Sequence, residues 1–368
     1  MEKQKRLAAL DLIKFLAMFF VVLYHGRYMW INIMKDLNLK TFCLFFIHTL
    51  LSTCVPMFFF VNGFLLINKE LNLKKHILKT FKFIAITFIW GAITLYILSI
   101  LRENPFSAKE FIESLWSFKQ DWINHLWFMG ALVGIYFVFP IIKAAFDSNR
   151  KAFNYFVLFC TIVVFSVSFL DLAATFLDMQ FEGGKRIIFN NWLNMFNPLR
   201  GVRAFTLAYF LIGCYFGANR KKIDEKIKKF KFINPVTLIL IIAVSTALYA
   251  YWGIWSSHVT GEQWDTVWFG YDEIFILIDT VSFYLLSRYY KGNAKNPFSY
   301  IVKAVSKNTL GIYFTHIIII ELIRYLKITQ LGFMQNYISF IIYAFIILLI
   351  CAGISALLKK IPILKKLV

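Results

Sequence analysis

Apolar runs of roughly 20 residues recur along this chain, separated by short polar loops, and that pattern narrows its fold more than any other feature. They lie at about residues 8–28, 42–67, 80–101, 124–143, 153–177, 203–218, 233–252, 269–289, 305–325 and 335–358. About 20 helical residues cross the hydrocarbon core of a bilayer, and backbone in lipid must satisfy its own hydrogen bonds, which leaves helices as the expected form. The expected fold is therefore all-α: a polytopic membrane helix bundle of about ten transmembrane helices. A single domain, 1–368, with no separate soluble domain accommodates every run. The composition agrees, since 60% of the residues are hydrophobic and 19% aromatic, more than a soluble core of this size uses. The first run is a poor secretory signal, because it is long, carries Lys14 and lacks a small-residue cleavage site.

A net charge of +20 invites a nucleic-acid reading. The distribution of the basic residues opposes it, because they cluster between the spans and alternate in density. With the N-terminus placed in the cytoplasm, cytoplasmic segments hold 27 Lys and Arg and outer segments 12, with Lys14 inside the first span. That bias predicts both termini in the cytoplasm. The outer segment between the seventh and eighth spans holds none. The five cysteines, Cys43, Cys54, Cys160, Cys214 and Cys351, lie in or beside apolar runs with no CxxC pair. They read as small buried hydrophobes, and neither a disulfide frame nor a metal site is expected.

The first run is unusual in holding Asp11, Lys14 and His25. Ionisable groups in lipid face a protein interior, a cavity or a substrate path. Lys14 and His25 are eleven residues apart, which returns them to within roughly 20° of one helix face and separates them by roughly 16 Å along the axis. Asp11 lies three residues before Lys14, within pairing distance on a helix. An imidazole here can take a proton from an attacking hydroxyl, or it can be a hydrogen-bonded bridge between helices. Lys14 and Asp11 can equally form a plain ion pair that fixes the helix register.

This segment, Leu10-Asp11-Leu12 followed by a basic residue, ten residues and a histidine, resembles the first helix of the acyltransferase-3 family of integral membrane O-acyltransferases. Lysine stands at position 14 where arginine is commoner. Further motifs follow in order along nearly the whole chain. Val55-Pro56-Met57-Phe58-Phe59-Phe60-Val61-Asn62-Gly63-Phe64-Leu65 is similar to the family's proline, aromatic run and Ser-Gly-Phe-Leu turn, with Asn62 in place of serine. Leu73-Lys74-Lys75-His76 through Lys79 and Lys82 resembles its basic approach to the third span, with lysines for arginines. His125-Leu126-Trp127-Phe128, then Tyr136 and Pro140, resembles its fourth span, and Phe210 through Gly217 its aromatic-glycine run. Tyr313-Phe314-Thr315-His316 is close to its late Tyr-x-x-His signature.

The resemblance implies a membrane O-acyltransferase with His25 as the catalytic base, assisted by Lys14 and Asp11. Acyl-CoA, mostly acetyl-CoA in this family, would be the donor, with no permanently bound cofactor. Lys74, Lys75 and Lys79 are candidate partners for its phosphates, or ordinary positive-inside charge. Tyr313 and His316 are expected on the donor channel, or as a polar bridge between helices. For the acceptor, a carbohydrate or lipid-linked glycan of the cell envelope, the candidates are His125, Trp127, Trp192, Arg200 and Arg203. His125 can instead be a solvent-facing interfacial residue, and Arg200 and Arg203 headgroup anchors. The segment around Phe189-Asn190-Asn191-Trp192-Leu193-Asn194 offers amides and rings suited to a glycan, or an interfacial amphipathic stretch. The expected location is a bacterial inner membrane, in contact with lipid and not with nucleic acid. A transporter or flippase for an envelope glycan is the other class that buried charges in ten helices suit. The absence of an obvious internal repeat argues against the duplicated transporter folds.

Overall fold

The computed structural model describes residues 7–26, 33–35, 37–119, 121–181, 203–293, 295–328 and 337–368. Among these, no residue is in a strand. The helices are α1 (Ala8–His25), α2 (Leu39–Leu50), α3 (Cys54–Leu66), α4 (Leu73–Leu101), α5 (Ala108–Trp116), α6 (Trp127–Ser148), α7 (Arg150–Phe181), α8 (Ala204–Ala218), α9 (Arg220–Lys229), α10 (Pro235–Thr260), α11 (Ile274–Ser287), α12 (Pro297–Tyr325) and α13 (Tyr337–Leu358). By length and composition, six stretches of the described residues are able to cross a membrane: Ala8–His25, Leu39–Leu66, Leu73–Leu101, Asn124–Ser148, Pro235–His258 and Ile338–Leu358. Ala204–Ala218 and Ile274–Ser287 are shorter apolar helices.

Local chemistry sets many of the boundaries. The second apolar run is not one helix. A 3-10 turn at Leu51–Thr53 divides it, and Pro56 follows in the first turn of α3, where its missing N–H costs least. Asn234 and Asn296 cap α10 and α12, each followed by proline at the first helical position. Asn38 with Thr41, and Ser107 with Glu110, form reciprocal capping boxes on α2 and α5. The Ser107 backbone N–H and hydroxyl hold the exposed Glu110 carboxyl below its ordinary pKa.

The chain divides into two compact units, each assembled from separated stretches. The first comprises residues 1–13, 29–70 and 141–292. Its tightest seam joins α3 to α8. A Cβ on Gly63 would lie 1.9 Å from the Phe210 carbonyl oxygen, and one on Gly213 would lie 2.0 Å from that of Phe60. Only glycine lets two helix backbones approach this closely. Phe60, Phe64 and Phe216 gather around Tyr284 of α11 with ring centroids 5.0–5.6 Å apart. Across α10 and α11, Ser245 Oγ donates to the Phe275 carbonyl and Thr246 Oγ1 to Asp279 Oδ2.

The second unit comprises residues 14–28, 71–140 and 293–368. Trp90 of α4 stacks on Phe314 of α12 at 5.5 Å and 3°. Gly311 of α12 meets Ser355 of α13, whose hydroxyl bonds Asn308 Oδ1. Pro140 lies inside α6. A helical proline has no N–H for the carbonyl four residues earlier, which here is that of Tyr136. The imidazole of His76, from α4, donates through Nε2 to that carbonyl at 2.7 Å and packs on the rings of Tyr136 and Phe139. A side chain from one helix thus fills the gap that proline opens in another.

Candidate functional site

Three histidines from distant parts of the sequence meet in the second unit. His25 is the last residue of α1. His125 sits in a 3-10 turn, Asn124–Leu126, that leads into α6. His316 lies in the body of α12. The ring centroids are 5.2 Å apart for His25 and His316, 5.6 Å for His125 and His316, and 6.3 Å for His25 and His125. Tyr313 completes the group, its ring 6.0 Å from His125 and 5.9 Å from His316.

One hydrogen bond orients a ring of this group, and another fixes the backbone that carries a second ring. His316 Nδ1 lies 2.6 Å from the Tyr313 carbonyl oxygen. A carbonyl only accepts, so the proton is on Nδ1 and the neutral ring keeps its Nε2 lone pair. That Nε2 is buried with no hydrogen-bond partner in the protein, as is Nε2 of His125. The Tyr313 hydroxyl donates to the backbone carbonyl of His125 at 2.5 Å and so fixes the turn that carries it. His316 is fully buried and His125 nearly so, while His25 is half-buried. Three imidazoles this close do not all carry charge in a low-dielectric setting, because like charges disfavour one another. A cluster of this kind therefore offers neutral rings with basic nitrogens, which is what proton abstraction from a hydroxyl requires. Among the described residues, no group of three or more histidine, cysteine, aspartate or glutamate side chains is arranged to hold a metal ion.

The other residues proposed from sequence fall in several places. Lys14 is half-buried on α1, three turns before His25 and on its face. Asp11 is buried in the first turn of the same helix, where a carboxylate complements the positive helix end. Lys74, Lys75 and Lys79 are exposed on the first two turns of α4. Lys79 Nζ lies over the Phe83 and Tyr136 rings at 5.3 and 5.4 Å. Trp127 lies two residues after His125, at the start of α6, with Phe128 packed 5.5 Å from Tyr313. Arg203 is exposed before α8 in the first unit, and its carbonyl accepts from Thr206. Trp192 and Arg200 lie outside the described residues.

One reading needs correction. A solvent-facing His125 does not occur, since the side chain is buried against Tyr313 and His316. The polar bridge in this group runs from the Tyr313 phenol to the backbone carbonyl of His125, while His316 is held by the backbone carbonyl of Tyr313. Sequence reasoning also passed over His76 and His48, whose Nε2 lies 3.2 Å from Asp265 Oδ1 in the first unit. Pro140 signalled the first, because its helix needs an outside donor. No sequence signal pointed to the second.

Apolar helices long enough to span a bilayer, with a cluster of imidazoles at the end of one of them, define a helical integral membrane protein. The family model for the acyltransferase-3 domain, described as an acyltransferase domain, matches residues 7–358, and the chain belongs to that family. No curated protein and no solved structure matches it. The protein is a membrane acyltransferase.

Proposed function

We propose that this protein moves an acyl group, acetyl in the first instance, from cytoplasmic acyl-CoA to a hydroxyl of a cell-envelope carbohydrate. The observation that carries this reading is the grouping of His25, His125, His316 and Tyr313 at the end of the helix face that begins at Lys14. His25 is the least buried of the three imidazoles and is the group we assign as base. It takes the proton of the acceptor hydroxyl as the oxygen attacks the thioester carbonyl. The tetrahedral adduct then expels the CoA thiolate, which recovers that proton from the imidazolium. An ester and free CoA result, and no metal or redox step is needed. His316, with its proton held on Nδ1 and its ring 5.2 Å from that of His25, supports a neutral His25.

The topology we propose has ten spans and both termini in the cytoplasm of a bacterial inner membrane, supported by the 27-to-12 asymmetry of Lys and Arg. In that arrangement α4 begins on the cytoplasmic side. Lys74, Lys75 and Lys79 stand at its positive end, an unfavourable place for ammonium groups and a favourable one for phosphate. This supports their assignment to the CoA phosphates. The acceptor side is outside, where His125, Trp127, Arg200, Arg203 and Trp192 remain our candidates for acceptor contacts. The deciding experiment is mass spectrometry of envelope glycans from cells with the protein, without it, and with His25→Ala. Acyl esters present only with the unaltered protein support the reading. Identical ester content in all three removes it.

A further inference from the structure

The loop between α10 and α11, residues 261–273, is chemically unlike the rest of this basic protein. It carries Glu262, Asp265, Asp272 and Glu273 and no Lys or Arg, so four of the chain's 20 acidic residues fall in 13 positions. It also carries Trp264, Trp268 and Phe269. The loop is built against α2. Asp265 Oδ1 meets His48 Nε2 at 3.2 Å and accepts from the backbone N–H groups of Val267 and Trp268. Thr266 is held at both ends, its hydroxyl 3.0 Å from that of Thr49 and its carbonyl accepting from Ser52 Oγ.

Two aromatic rings stand out from this anchored base. Trp268 is 40% exposed and Phe269 51%, and the Phe269 ring is braced by Trp264 at 4.9 Å. Behind them the hydroxyl of Tyr249 is fully buried and has no hydrogen-bond partner. It lies against the loop itself, since a Cβ on Gly270 would come within 2.6 Å of it. Rigid rings and carboxylates that accept from hydroxyls are the groups that recognise a polyol ring.

We propose that the 261–273 loop is a carbohydrate-binding platform, on which the C–H face of an uncharged sugar unit stacks against Trp268 and Phe269 while its hydroxyls donate to the loop carboxylates. The assignment rests on the acyltransfer reading only for the identity of that sugar as part of the acceptor glycan. The proposed topology puts the loop on the outer side of the membrane, where such a glycan is met.

The test uses the full chain in lipid nanodiscs and saturation-transfer NMR with soluble oligosaccharides of hexose, N-acetylhexosamine and 6-deoxyhexose units as probes. The expected result is saturation transfer to at least one probe, weakened tenfold or more in W268A/F269A and retained in Trp268→Tyr, which keeps a stacking ring. No transfer to any probe, or equal transfer in the double variant, overturns the proposal. So does quenching of Trp268 fluorescence by brominated lipid in the presence of the glycan, which makes the loop a membrane anchor. CoA binding by the same samples reports separately on the enzyme. Glycan binding without CoA binding would keep the platform and remove the donor.

Discussion

The hydroxyl of Tyr313 donates a 2.5 Å hydrogen bond to the backbone carbonyl of His125, so a side chain of α12 sets the position of an imidazole 188 residues earlier in the chain. Tyr313→Phe removes that bond and nothing else of the ring. A single hydrogen bond contributes about 1 kcal/mol net, so the variant should fold and bind CoA. Its transfer rate should fall about ten- to a hundredfold, because small displacements at a reacting site are costly. A Tyr313→Phe protein with an unchanged rate of acyl transfer would show that the turn at His125 does not need this tie.

His25→Ala should lower transfer by roughly 10²–10⁴-fold, the usual contribution of a positioned general base, while membrane insertion stays intact. Lys14→Arg should be mild, since the charge is kept. Lys14→Ala should be severe, because it removes a positive charge from the helix face that leads to His25. Single-turnover transfer from labelled acetyl-CoA separates these outcomes, and near-native transfer by a folded His25→Ala protein would falsify the assignment of the base.

The donor end is tested by replacing Lys74, Lys75 and Lys79 together with Glu. CoA affinity should drop by more than tenfold in isothermal titration, with acceptor affinity unaltered. Unchanged CoA binding would leave these lysines as topology determinants alone.

His76 and Pro140 should be energetically coupled. His76→Phe keeps the packing on Tyr136 and Phe139 but leaves the Tyr136 carbonyl without the donor that Pro140 already denies it. The expected destabilisation is about 1 kcal/mol or more. In a Pro140→Ala background the helix supplies its own N–H, so the same change should cost much less. A double-mutant cycle read by thermal unfolding in detergent measures the coupling, and strict additivity would rule out the proposed repair.

The glycines are not equivalent. Gly213→Ala would push a Cβ to 2.0 Å from the Phe60 carbonyl oxygen, whereas Gly134 has nothing within 4 Å of the same position. Gly213→Ala should therefore separate α3 from α8 and lower the unfolding temperature sharply, while Gly134→Ala should be neutral. Equal melting behaviour of the two variants would contradict the close approach of the helices.

The helical segments were legible because hydropathy over 20 residues is a local property, and each proposed run coincides with a described helix or helix pair. The break at Leu51–Thr53 was not read, although Pro56 signalled it, since an unbroken apolar run hides a change of helix. The members of the site were visible one by one through motif spacing, yet they were assigned three different tasks. Their meeting depends on how α1, α6 and α12 pack, and no spacing within a single segment records that. The burial of His125 was hidden for the same reason. Its neighbours in sequence are a polar loop, and its neighbours in space are Tyr313 and His316. His48 and Asp265 are 217 residues apart and share no motif, so only the fold pairs them.

The glycine seam between α3 and α8 has a consequence for how the protein is made. Gly63 and Phe210 are separated by roughly 150 residues, and at ribosomal rates of about 5–20 residues per second α3 is released into the bilayer roughly 7–30 seconds before its partner exists. During that interval a helix whose Gly63 exposes bare backbone must sit beside lipid or a neighbour that it later abandons. Biogenesis of this fold therefore includes an obligatory waiting state, and the insertion machinery or a chaperone that shelters α3 during translation would govern its yield.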